Sequence, residues 1–168
     1  MQRYVRLFGT PITLLVLIGI LIFGARWGYK NVVAPAPPPP LVPCTNQNVG
    51  KALKVSQVTV KVYNGGTKAG LASTVAAQLR AVGFNVSKTG NTEVEVNQTQ
   101  IIGADANNPE VKLVAGFFKG AQVKGDGRVD HSVEVLVGNK VTGFNRSAPT
   151  SIQVNNPTVC LPAPVATP

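Results

Sequence analysis

Residues 7–25, LFGTPITLLVLIGILIFGA, run for nineteen positions without a charge. At about 1.5 Å per residue such a helix spans roughly 28 Å, close to the hydrocarbon core of a bilayer. The run predicts a transmembrane helix behind a short cytoplasmic N-terminus, residues 1–6. Arg3 and Arg6 precede it, Arg26 and Lys30 follow, and Trp27 and Tyr29 stand where interfacial aromatics are expected. The rival is a cleaved signal peptide, which calls for a shorter apolar region and a small-x-small site directly after it. Here Arg26, Trp27 and Lys30 intervene, and Pro37 obstructs the Ala34-Pro35-Ala36 match. An uncleaved anchor fits the pattern better.

A different pattern begins beyond residue 55. Val58, Val60 and Val62 alternate with Thr59, Lys61 and Tyr63, the period of a strand with one buried face. Leu71, Val75, Leu79 and Val82 then recur at helical spacing, with Thr67 as the expected N-cap and Gly83 as the stop. Phe84 and Val86 open a second strand, and Gly90-Asn91 reads as a turn. Ile101 and Ile102 mark a third strand over 98–103. Asn108 caps a second helix with Pro109 at its first position, and Val111, Val114, Ala115 and Phe118 form its stripe. A short strand over 121–124, a GDGRVD turn and the alternating Val133, Val135 and Val137 complete the series.

The order is β-α-β-β-α-β with an extra strand near the end. Two helices with one apolar face each must cover one face of a sheet. The fold class is therefore α+β, a single N-terminal transmembrane helix plus a small two-layer domain, with a ferredoxin-like arrangement as the simplest layout. Residues 26–43 form a spacer whose PAPPPP run favours stiff polyproline II. The extracytoplasmic domain covers 44–160 with its core at 56–144, and 161–168 reads as a disordered Pro-rich tail.

Charge narrows the partners. Of the sixteen Lys and Arg residues, Arg3, Arg6, Arg26 and Lys30 flank the apolar run, leaving twelve against all seven acids. Those twelve are scattered, with no basic run and no interleaved aromatics, so nucleic acid is not an expected partner. An anionic envelope surface suits a weak, spread positive field. Orientation is not decided by charge, because Lys and Arg are equally numerous on both sides of the span. The cysteines supply it. Cys44 and Cys160 bracket the soluble part. A disulfide between them needs an oxidising compartment, which places the domain outside the cytoplasmic membrane in a single-pass protein.

Candidate chemistry is sparse. Asn64, Gly65, Gly66, Thr67 and Lys68 form a glycine-rich turn between strand and helix, a place where phosphates bind in other folds. The Walker ending Gly-Lys-Ser/Thr is missing, since Leu71 follows Gly70, and the glycine spacing does not fit GxGxxG. The turn is left as a weak anion or glycan contact. His131, the single histidine, stands beside Asp130 near Asp126. A polar turn explains these three better than a metal site does, and neither a metal nor a cofactor is expected. Glu93 and Glu95 sit two apart without other support for glycosidase chemistry.

The stretch VTVKVYNGGTKAGLASTVAAQLRAVGFNV resembles the LytR C-terminal domain, through Val60, Asn64, Gly65, Gly70, Leu71, Ala72, Leu79, Gly83 and Phe84. The second half fits too, from Thr99 to Gly103, through NPEVKLVAGFF, to VEVLVG. With its anchor and Pro-rich spacer, the layout is similar to actinobacterial envelope proteins with one such domain. Long members of the family carry a phosphotransferase domain for which this chain has no room, and the family has no defined catalytic residues to carry over. The resemblance implies a non-catalytic accessory or binding role that contacts cell-wall polymer or an envelope-assembly protein. A SPOR-like peptidoglycan-binding module is the alternative, with Tyr63 the one aromatic placed on a central strand's outer face. A small hydrolase using Asp130 and His131 is a third reading.

Overall fold

A computed structural model describes residues 2–33, 42–140 and 143–163, which form two compact units. The first contains helix α1, Gln2–Val33. Its stretch Pro11–Lys30 is long and apolar enough to cross a membrane, with a mean hydropathy of 1.9. Ile12, Leu15, Leu21 and Phe23 are all exposed along it. The helix continues past both ends expected for the span. Residues 26–33, read from sequence as the start of the spacer, belong to α1, and the Pro-rich run 35–40 lies outside the described residues.

The second unit is the α+β domain. Its strands are β1 (Thr45–Asn48), β2 (Ala52–Lys54), β3 (Thr59–Asn64), β4 (Asn85–Asn91), β5 (Gln100–Gly103), β6 (Gln122–Gly125), β7 (Val133–Val137), β8 (Ser151–Gln153) and β9 (Thr158–Leu161). Helices α2 (Leu71–Val82) and α3 (Pro109–Ala115) complete it. The main sheet has five strands in the order β4-β3-β7-β5-β6. β3 runs parallel to β4 and β7, β5 runs parallel to β6, and β5 meets β7 antiparallel. The sheet is thus two βαβ units side by side, with β7 inserted between them.

The α+β class and the element order agree with the sequence reading, whereas the strand order is not the ferredoxin-like one. The reason lies in β7. Val-Glu-Val-Leu-Val is the most apolar strand, and Val133, Val135, Leu136 and Val137 are all buried. A strand buried on both faces takes the centre of a sheet. Each α-helix then returns the chain far enough to lay its second strand parallel beside its first.

Register aligns the core. Val62 pairs with Val135, which pairs with Ile101, so these three side chains share one face. Val75 and Leu79 of α2, and Val111 and Val114 of α3, are buried in the same cluster, so both helices cover that face. The domain is two-layered, as expected. Phe117 is fully buried at its centre, in edge contact with Phe84 and tilted against Phe144. α3 is shorter than its hydrophobic stripe suggests, ending at Ala115. Phe117 and Phe118 lie in the following turn and still point inward.

Two antiparallel ribbons frame this core, β1 with β9 and β2 with β8. Their strands are short and mostly polar, so the sequence pattern does not announce them. Cys44 and Cys160 are joined, with Cα atoms 5.4 Å apart. Leu161, assigned from sequence to the tail, belongs to β9 and is 1% exposed. A bridge that pins the two ends of the domain also fixes the ribbon that buries Leu161.

Candidate functional site

The glycine-rich turn is held together from within. Asn64 reaches forward, its Nδ2 donating to the Lys68 carbonyl at 3.0 Å and its Oδ1 accepting from Gly66 N at 3.1 Å. Asn139, at the end of β7, accepts from Thr67 N at 2.7 Å and from Thr67 Oγ1 at 3.1 Å. Gly65 N donates to the Val137 carbonyl. The backbone amides of residues 65–67 are therefore spent on the protein and cannot cradle an anion as a phosphate loop does. The helix starts later than expected, with Gly70 at the cap in the left-handed region (φ 81°) in place of Thr67. The glycines are there for space: a Cβ on Gly65 would lie 2.8 Å from the Val94 carbonyl and from a Val96 methyl. We expect Gly65→Ala to destabilise the domain by about 1–3 kcal/mol, read as a shift in urea midpoint.

The outer face of the sheet carries two rows. Lys61, Glu134, Ile102 and Lys124 form one, and Tyr63, Leu136, Gln100 and Gln122 the other. Several of its polar groups are held by each other or by the loop that enters β7. Lys61 Nζ reaches Asp130 Oδ2 at 2.9 Å, and Lys124 Nζ reaches Gln100 Oε1 at 3.0 Å. The half-buried Arg128 guanidinium clasps Asp126 at 2.6 Å and Glu134 at 2.8 Å. Burial lowers its basicity, but the two carboxylates outweigh this and raise it above the ordinary arginine range. Tyr63 is half-buried with the Lys88 ammonium 5.8 Å over its ring, so it offers no open stacking platform.

Two carboxylates titrate low. Hydrogen bonds from Arg128 hold Asp126 below the usual carboxylate range against the opposing effect of burial. Burial pushes Asp130 up, but hydrogen bonds from Lys61 and Ser132 overcome it and hold this carboxyl low as well. A depressed folded-state pKa contributes stability above the unfolded value, near ~3.9, that is lost as pH falls through the folded one. The domain is therefore expected to hold its stability down to about pH 4 and to lose it below. Lys61→Met should move that acid transition upward, measured by circular dichroism against pH.

The loop that Asp130 anchors presents His131. Ser132 N and Oγ both donate to the Asp130 carboxylate, and the turn closes with His131 at φ 51°. No other non-glycine residue among the described ones has positive φ. Such a backbone is strained and is kept where its surroundings over-determine it. His131 Nδ1 lies 3.0 Å from Glu110 Oε1, in the first turn of α3. Glu110 is 1% exposed, and its Oε2 is buried with no hydrogen-bond partner. A cavity of about 420 Å³ opens beside the pair, lined by Glu110, His131 and Lys112, and by residues of the segment 152–160 including Cys160.

A ring nitrogen of His131 lies within 4.8 Å of both cysteine sulfurs. The sulfurs are bonded to each other, so neither presents a thiolate to an ion. Sequence reasoning had grouped His131 with Asp126 and Asp130, which the structure sends to Arg128 and Lys61 instead. Glu110, the partner His131 does have, stands 21 residues earlier. Its only signal was an acid at the start of a helix.

These features define a small mixed-sheet domain with a cavity of mixed polar and apolar lining, stapled by one disulfide. The family model described as LytR cell envelope-related transcriptional attenuator matches residues 57–140, half of the chain and all of β3 to β7. The chain belongs to this family, and a cell-envelope role goes with it. The chain is 26% identical over 110 residues to the cell wall biosynthesis protein LcpA of Corynebacterium glutamicum. That match covers 65% of this chain and 21% of LcpA, so the chain spans about a fifth of the relative's length. A similar solved structure is the soluble domain of a conserved hypothetical secreted protein from Mycobacterium marinum. The identity is 23%, over 58% of this chain and 69% of that one, with a TM-score of 0.47.

Proposed function

We propose that this protein is a membrane-anchored, extracytoplasmic accessory protein of the cell envelope, which binds cell-wall polymer or a wall-assembly enzyme and performs no catalysis itself. The observation that carries the reading is the Cys44–Cys160 bridge shortly after an apolar helix. Disulfides persist in oxidising compartments, and α1 is long and apolar enough to span a bilayer. Family membership and the LcpA likeness support a cell-wall setting. The turn at Asn64, Gly65, Gly66, Thr67 and Lys68 contributes to binding chiefly through outward side chains, since the amides of residues 65–67 are occupied. The cavity beside Glu110 and His131 is the better candidate contact.

Topology is directly testable. A membrane-impermeant, amine-reactive biotin ester is expected to label the exposed Lys51 and Lys88 in intact spheroplasts, located by peptide mapping. Labelling of these lysines only after lysis would overturn the outward placement.

A further inference from the structure

The buried carboxylate of Glu110 is incompletely served. His131 meets Oε1, while Oε2 is sealed from solvent without a partner. A buried carboxylate oxygen without a donor is unfavourable, and the donor that serves it best is an ammonium, through a charge-assisted hydrogen bond. Three further observations concern what would bring that donor. The cavity has about 420 Å³, within the ~300–1,000 Å³ range of small-ligand sites and short for an extended glycan. Lys112 lies on the same wall, so the lining offers one negative and one positive side chain besides His131. The lining also carries the carboxamides of Asn107, Asn108, Gln153 and Asn155, each a paired donor and acceptor that matches a peptide group. Ile152, Val154 and Val159 supply apolar surface, and no Phe, Tyr or Trp lines the cavity for a sugar ring to stack on.

We propose that the cavity between α3, His131 and the segment 152–160 binds a short peptide bearing a free amine, with Glu110 as the acceptor of the ammonium and Lys112 facing the ligand's carboxylate end. Entry moves the His131 ring, whose side chain is 26% exposed and whose Nδ1 lies 3.0 Å from Glu110 Oε1. The proposal deepens the envelope reading above and rests on it, since the peptide part of a bacterial cell wall supplies this chemistry.

His131 is the only histidine, so isotope-labelled histidine gives one imidazole signal that reports this site alone. The full chain in detergent micelles would be titrated with trialanine, with N-acetylated trialanine, with C-terminally amidated trialanine and with a neutral disaccharide. Trialanine is expected to move the His131 signal saturably. Acetylation, or Glu110→Gln, should weaken binding at least about tenfold through loss of the charge-assisted bond. Lys112→Ala provides a second variant at an exposed position; it should weaken trialanine and leave the amidated peptide unaffected. An unmoved signal, equal binding of the acetylated peptide, or a response to the disaccharide alone would overturn the proposal. Wall retention of the chain together with an unmoved His131 signal would remove this site and leave the envelope reading standing.

Discussion

Replacing Cys44 and Cys160 together by serine is expected to lower the stability of the domain by about 4–5 kcal/mol. The bridge closes a loop of 116 residues, and the chain-entropy argument gives about 5 kcal/mol for a loop of that length. A small domain has only about 5–15 kcal/mol in total, so the variant should be substantially unfolded at elevated growth temperature. The damage should also be local. β1 pairs with β9 next to the bridge, and β9 carries the buried Leu161 and one wall of the cavity. Urea titration of oxidised wild type, reduced wild type and the double serine variant, followed by circular dichroism, would measure this. The reduced protein and the variant should coincide, and a loss of under about 1 kcal/mol would show that the ribbons hold without the bridge.

Phe117→Ala is expected to cost about 3–5 kcal/mol, the range for truncating a fully buried aromatic ring. Phe117 is 0% exposed and lies between Phe84, at the end of α2, and Phe144, beyond β7. Removing it leaves a void that three chain segments must fill. Phe117→Leu keeps most of the volume and should cost less than half as much. Val94, 58% exposed, serves as control: Val94→Ala should shift the urea midpoint by almost nothing.

The βαβ unit from β3 to β4 was legible in the sequence because two periods change over within 30 residues. Val58, Val60 and Val62 alternate, and Leu71, Val75 and Leu79 follow at helical spacing. The ribbons were not legible. TNQN and SIQ are short and polar, and what aligns them is pairing between residues more than 90 positions apart. Strand order escaped for a related reason, since the pattern gives the faces of β7 but not its neighbours. At the candidate site, the turn of Asn64, Gly65, Gly66, Thr67 and Lys68 drew notice because glycines before a helix suit an anion. Its Gly66 and Thr67 amides are instead taken by Asn64 and by Asn139, the latter 72 residues away from Thr67. The Glu110–His131 pair depends on the loop that Asp130 ties to Lys61, a tertiary arrangement with no local signature. The disulfide was legible because two cysteines at the two ends of a domain leave few other partners.

Co-sedimentation of the full chain in detergent with purified cell wall, with and without its secondary polymers and from low to high salt, tests the envelope-binding account most directly. The account predicts retention that survives above ~0.15 M salt, where the scattered excess of basic residues is screened. Loss of retention on stripping the secondary polymers would identify them as the ligand, whereas retention by bare peptidoglycan would favour its peptide or glycan. Binding that vanishes at physiological salt on every preparation would contradict direct wall binding.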